Sequence, residues 1–163
     1  ANDKTFGTVI RETVPAHSVK DFTISGLADG DYAAFVSSDK SIAVSVRLPR
    51  SDKSKKPNSD FTWLQSASSL EGTQQITVPA AGIAKLALTN LGTTAANLSI
   101  NGAALSIKPQ GIAVLKVSAG PVSLRINQGS IGGNLVVDVS GAIANLALVD
   151  YRNAGSQVAV RVR

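Results

Sequence analysis

Cysteine and methionine are both absent from this 163-residue chain. Without cysteine there is no disulfide framework, no thiolate metal site and no cysteine nucleophile. Histidine occurs once, at His17. A zinc site built on imidazoles is excluded as well, because zinc takes three or four protein ligands. Aromatic residues make up 4% and charged residues 17%, the latter below the usual level of about 25%. Ser, Thr, Asn, Gln, Ala and Gly must therefore cover much of the surface, a style common in secreted β modules. No apolar run reaches the roughly 18–20 residues needed to span a bilayer. There is no P-loop, no dinucleotide-binding glycine motif and no nucleophile elbow. The chain begins at Ala1, from which an excised fragment is expected, its signal or anchor lying elsewhere.

What is present is β patterning. Hydrophobic residues reach 44%, enough to build a core. Ile42, Val44, Val46 and Leu48 alternate with smaller or polar residues. So do Val122, Leu124 and Ile126, and again Val158, Val160 and Val162. A period of two buries one face of a strand and wets the other. No stretch keeps a 3.6-residue period, and residues 143–149 also read as a strand. Asn101-Gly102 stands between two alternating runs, and both residues tolerate the positive φ of a tight type I′ turn. Turns at this spacing predict a sandwich rather than βαβ units.

One pattern recurs: a proline turn, a small residue, then an alternating strand. Val14-Pro15-Ala16-His17 leads to Phe22-Thr23-Ile24. Val78-Pro79-Ala80-Ala81-Gly82 leads to Leu86-Ala87-Leu88. Lys108-Pro109-Gln110-Gly111 leads to Leu115-Lys116-Val117. Residues 8–50 match the second half of a unit whose fuller copy spans about 74–140. The fold expectation is all-β, with two immunoglobulin-like β-sandwich units over residues 1–70 and 71–163. The first lacks its opening strands, so the spare C-terminal strands, 143–149 and 157–163, are expected to return and complete it. Residues 67–75 read as the linker.

Catalytic readings do not survive inspection. His17, with Ser18 and Asp21 nearby, lies on one local segment, and a triad needs groups that converge. Ala and Gly occupy the matching repeat positions, so His17 reads as a turn residue. Asp29-Gly30-Asp31 lacks the further acidic ligands of a calcium loop. Ser37-Ser38-Asp39-Lys40 fits S-x-x-K without its companion motifs. Asp21, Glu71, Asp138 and Asp150 are scattered along the sequence, with nothing to pair them as glycosidase carboxylates. No catalytic residue, metal ligand or cofactor is expected.

The net charge is +5, with much of the excess in Arg47, Arg50, Lys53, Lys55 and Lys56. Basicity of this kind suits anionic partners. Trp63 is the only tryptophan. A lone tryptophan in a sandwich more often fills the core or covers an open end, whereas an exposed one would stack on a sugar ring. The candidate partner-binding residues are therefore Arg50, Lys53, Lys55, Lys56 and Trp63. Nucleic acid is not an expected partner, since aromatics are too few to interleave with the basic residues.

The runs Ile42-Ala43-Val44-Ser45-Val46-Arg47-Leu48, Asp60-Phe61-Thr62-Trp63-Leu64-Gln65-Ser66-Ala67 and Leu86-Ala87-Leu88-Thr89-Asn90-Leu91-Gly92 carry a resemblance. Over roughly residues 10–130 the chain resembles a family of actinobacterial secreted or envelope-associated proteins whose domain has no assigned function. That resemblance implies a bacterial, extracytoplasmic β-sandwich and supplies no catalytic residues. The expected role is a non-catalytic module with a structural or interaction function. Its expected partners are a protein or an anionic cell-wall glycan. A carbohydrate-binding module is the alternative, and an enzyme of unrecognised type is disfavoured.

Overall fold

The computed structural model describes residues 9–24, 26–28, 30–50, 60–139 and 142–150. The chain divides into two compact units, residues 1–30 and 31–163. Ten strands and no helix occur among the described residues: β1 (Ser45–Arg50), β2 (Asp60–Gln65), β3 (Thr73–Val78), β4 (Ile83–Asn90), β5 (Ala96–Ile100), β6 (Ala103–Ile107), β7 (Ile112–Val117), β8 (Gly120–Gln128), β9 (Ile131–Val139) and β10 (Ala142–Ala147). The chain is all-β, as its alternation predicts.

Two four-stranded antiparallel sheets, ordered β10-β9-β4-β7 and β3-β8-β5-β6, form a β-sandwich. Its core follows from period two. In β4 the even positions Ala84, Leu86 and Leu88 are buried. In β9 the odd positions Ile131, Leu135 and Val137 oppose them, with Leu86 directly across from Leu135. The other sheet contributes Ile76, Val78, Leu98, Ile107, Val122 and Leu124. Each fully buried Leu or Ile is worth about 1.5–3 kcal/mol of apolar transfer.

Asn101 (φ 49°) and Gly102 (φ 85°) join β5 to β6, with Ile100 opposite Ala103. Both central residues sit at positive φ, as a type I′ turn requires. The Asn-x-Gly turn after β4 is held differently. Asn90 is fully buried. Its Oδ1 accepts from the Gly92 amide at 2.9 Å. Its Nδ2 donates to the carbonyls of Thr94 (2.7 Å), Ile107 (3.0 Å) and Lys108 (3.0 Å). One amide side chain thus ties the turn after β4 to the end of β6 and the turn that follows it.

Three expectations change. The segment expected as a linker is tied into the sandwich: Leu70 is fully buried and its amide donates to the Ile131 carbonyl at 2.7 Å. The first repeat copy forms its turn at Ala16-His17, with His17 exposed at φ 60°. No strand forms in the described residues between it and β1. Val19, Phe22 and Ile24 are exposed there, whereas the equivalent Leu86 and Leu88 lie between β9 and β7. Alternation alone does not make a strand; a ladder partner does. Over residues 1–70 the described strands are therefore only β1 and β2. Lastly, β10 forms its ladder with β9. It meets β2 through side chains rather than by completing a sheet there. The expected strand at 157–163 lies outside the described residues.

Candidate functional site

Among the described residues, strands β1 and β2 pair only with each other, in a regular antiparallel ribbon from Ser45↔Gln65 to Arg50↔Asp60. Pro49 is tolerated because β1 is an edge strand. Cross-strand partners share a face, so the ribbon has two sides. Leu48, Arg50, Asp60, Thr62 and Leu64 are half-buried on one side. Arg47, Pro49, Phe61, Trp63 and Gln65 are exposed on the other.

The inner side is fastened to the sandwich by polar groups. Arg50 Nε donates to Asp138 Oδ1 on β9 at 2.9 Å. Asp60 Oδ2 accepts from the Ile143 amide on β10 at 2.8 Å. Asn145 Nδ2 donates to the Trp63 carbonyl at 3.2 Å. The Ile143 amide is the main cause holding the Asp60 carboxyl below its ordinary value. The Phe61 amide adds to this, desolvation opposes it, and the Arg50 charge contributes least. These bonds link the ribbon to β10 where no backbone ladder does.

The outer side carries an aromatic and cationic cluster. Phe61 and Trp63 meet edge to face, with ring centroids 6.2 Å apart and planes at 89°. The Arg47 guanidinium carbon lies 4.3 Å from the Phe61 ring centroid, within range of a cation–π contact. Trp63 is 49% exposed and Phe61 44%. Trp63 thus neither fills the core nor caps an open end. It stands at an odd position of β2, and the odd face is the one turned from the sandwich.

The sequence candidates are placed unevenly. Trp63 lies in the outer cluster. Arg50 lies on the opposite side of the ribbon, in the ion pair with Asp138. Lys53, Lys55 and Lys56 belong to residues 51–59, which connect β1 to β2 and lie outside the described residues. Arg47 and Phe61 complete the cluster and were not singled out as site residues. The signal for them was available: both share parity with Trp63 across a hairpin register. That register could not be read while a nine-residue insert separated the strands.

Other places offer less chemistry. A cavity of about 420 Å³ at one end of the sandwich is lined by Pro79, Ala80, Gly82, Ile83, Lys116 and Ser118 among others, and Lys116 is its one titratable group. Among the described residues, no group of three or more His, Asp or Glu could hold a metal ion. Asp150, a buried carboxylate, accepts from the Glu71 amide at 3.1 Å. No helix among the described residues is long and apolar enough to cross a membrane.

No curated protein and no solved structure matches the chain. One family model does, and its match runs from residue 8 to residue 121, through the ribbon, the turn at Asn90 and the strands as far as the start of β8. With both the ribbon and most of the sandwich inside that match, the chain belongs to the family of unknown function DUF5719.

Proposed function

We propose that this chain is a non-catalytic, extracytoplasmic module of an actinobacterial envelope protein, and that it works by contact through the outer face of the β1–β2 ribbon. The observation that carries this reading is the exposure of Phe61 and Trp63 together on a face whose reverse side is fastened to the sandwich. Large aromatics bury well and dominate interface energetics. Two of them displayed on a fixed ribbon mark a contact surface better than any groove in the sandwich does. The low charge content supports the extracytoplasmic location. The use of Asp60 and Asp138 as ribbon fastenings supports a non-catalytic role, since both carboxylates are engaged with Ile143 and Arg50.

A second reading, carbohydrate binding, is favoured by the same tryptophan. An exposed indole offers a flat apolar face to the C–H side of a sugar ring. Both readings meet one experiment. Purified bacterial cell-wall material is mixed with the wild-type chain and with the Phe61→Ala/Trp63→Ala double variant. Co-sedimentation is measured, and the same mixtures are assayed for released reducing ends. The expected result is wild-type co-sedimentation, loss in the variant, and no release. Equal sedimentation of both proteins would remove the ribbon face from the proposal. Turnover that co-purifies with the chain would overturn the non-catalytic assignment.

A further inference from the structure

We infer that the ribbon face binds acidic glycans, with a pyranose ring stacked on Trp63 and its carboxylate held by Arg47. The inference rests on the contact-face reading above and names the ligand class for it. Three observations on the face lead there.

The first is charge. Among the described residues of the ribbon the cations are Arg47 and Arg50. Arg50 is engaged with Asp138 on the inner side. Arg47 is exposed on the outer side, and no carboxylate pairs with it among the described residues. Its guanidinium rests on Phe61. A guanidinium presents its N–H donors in a planar fork, which suits a bidentate acceptor such as a carboxylate.

The second is ring geometry. Stacking of successive nucleic-acid bases needs aromatic faces presented in series. Phe61 and Trp63 stand at 89° to each other, so they form a corner instead. Trp63 can be the floor and Phe61 the wall. A single puckered ring with an apolar side and a polar rim fits such a corner; a run of parallel bases does not.

The third is size. Six residues at about 3.3 Å each make a strip about 20 Å long, and two strands about 10 Å wide. The face is therefore about 200 Å². A stable protein partner typically covers about 800 Å² on each side. A strip of this size suits one or two sugar residues of a polymer lying across it.

The test uses the full chain and defined oligosaccharides. Oligogalacturonides are the acidic probe; a neutral galactan fragment of the same length and a single-stranded oligonucleotide are the comparisons. Binding is followed by tryptophan fluorescence, since Trp63 is the only indole, and by calorimetry. The wild type is expected to bind the acidic probe about tenfold more tightly than the neutral one, and the preference should shrink as salt rises. Trp63→Ala, read by calorimetry, should weaken both sugars about tenfold or more. Arg47→Gln should leave neutral binding in place and remove the acidic preference. Melting curves for each variant confirm that the fold is kept. Equal affinity for acidic and neutral sugars, both dependent on Trp63, would overturn the acidic assignment while the contact-face reading stands. Tighter binding of the oligonucleotide would overturn the glycan assignment in the same way. If all three probes bind the wild type and Trp63→Ala alike, or none binds, the inference falls. The cell-wall co-sedimentation result then decides separately whether the contact face survives.

Discussion

Replacing Asn90 with alanine is the sharpest test of how the sandwich is held. The side chain is fully buried: its Oδ1 accepts from Gly92, and its two N–H groups are shared among the carbonyls of Thr94, Ile107 and Lys108. A typical hydrogen bond contributes about 1 kcal/mol net, and a buried group left unpaired costs about 1–3 kcal/mol. The bonds to Gly92, Thr94 and Lys108 are only partly buried, so water can replace part of each. The Ile107 carbonyl is buried and cannot recover its partner as readily. The loss should be about 3 kcal/mol. For a domain of this size that lowers the melting midpoint by about 10 °C. Asn90→Asp sharpens the test. It keeps the shape but aims a carboxylate at three carbonyl oxygens. It should therefore cost more than alanine at neutral pH, although it changes fewer atoms. Chemical denaturation of the three proteins measures the order. If the aspartate variant matches the wild type, or if alanine costs under about 1 kcal/mol, the claim that one amide joins both loops is wrong.

The ribbon and its surroundings give further expectations. Arg50→Ala removes the ion pair to a half-exposed Asp138. Discounted for solvent screening, the loss of that pair should be about 1 kcal/mol, and a cycle with Asp138→Ala should isolate it as coupling. The Asp60 carboxyl is held below its ordinary value chiefly by the Ile143 amide. Its stabilising effect should be complete above the unfolded value of about 4 and vanish as pH falls through the lower folded value. The gap in melting midpoint between wild type and Asp60→Ala should therefore be flat from pH 5 to 8 and close at more acidic pH. Gly82 and Gly102 both sit at positive φ, +75° and +85°, yet a Cβ on Gly82 would run into the Asp138 carbonyl oxygen, whereas Gly102 faces open space. Gly102→Ala should cost about 1–2 kcal/mol of conformational strain alone; Gly82→Ala should cost clearly more, as denaturation midpoints will show.

Much of this fold was legible because period two is local. The alternation of Leu86 and Leu88, of Val122 and Leu124, and the Asn101-Gly102 turn each specify their element from a few neighbouring residues. Residues 14–24 carry nearly the same alternation and form no strand among the described residues. Their sequence matches β4, but β4 is a strand because β9 and β7 lie on either side of it. Leu70 was misread for the opposite reason. It sits among Ser and Gly residues with no periodic context, and it is buried because its amide reaches Ile131, 61 positions away. Partners that far along the chain leave no local mark.

The same distinction explains the candidate site. Trp63 was identifiable as a residue with two opposite roles, and parity decided between them. Thr62 and Leu64 take the side fastened to the sandwich, so Phe61 and Trp63 must take the other. Once one hydrogen-bond register sets that parity, Arg47 falls opposite Trp63, and the twist of the ribbon brings its guanidinium over Phe61. Arg50, three residues further along β1, has the opposite parity and becomes a fastening. A shift of one residue in that register would put Arg47 and the aromatic pair on opposite faces. Were β2 the strand to turn over, the pair would be buried against β10 and Leu64 turned to solvent. The contact surface is thus a property of the register, and the register is held by Arg50 and Asp60 through Asp138 and Ile143. Weakening those fastenings should loosen the aromatic corner without touching a residue in it.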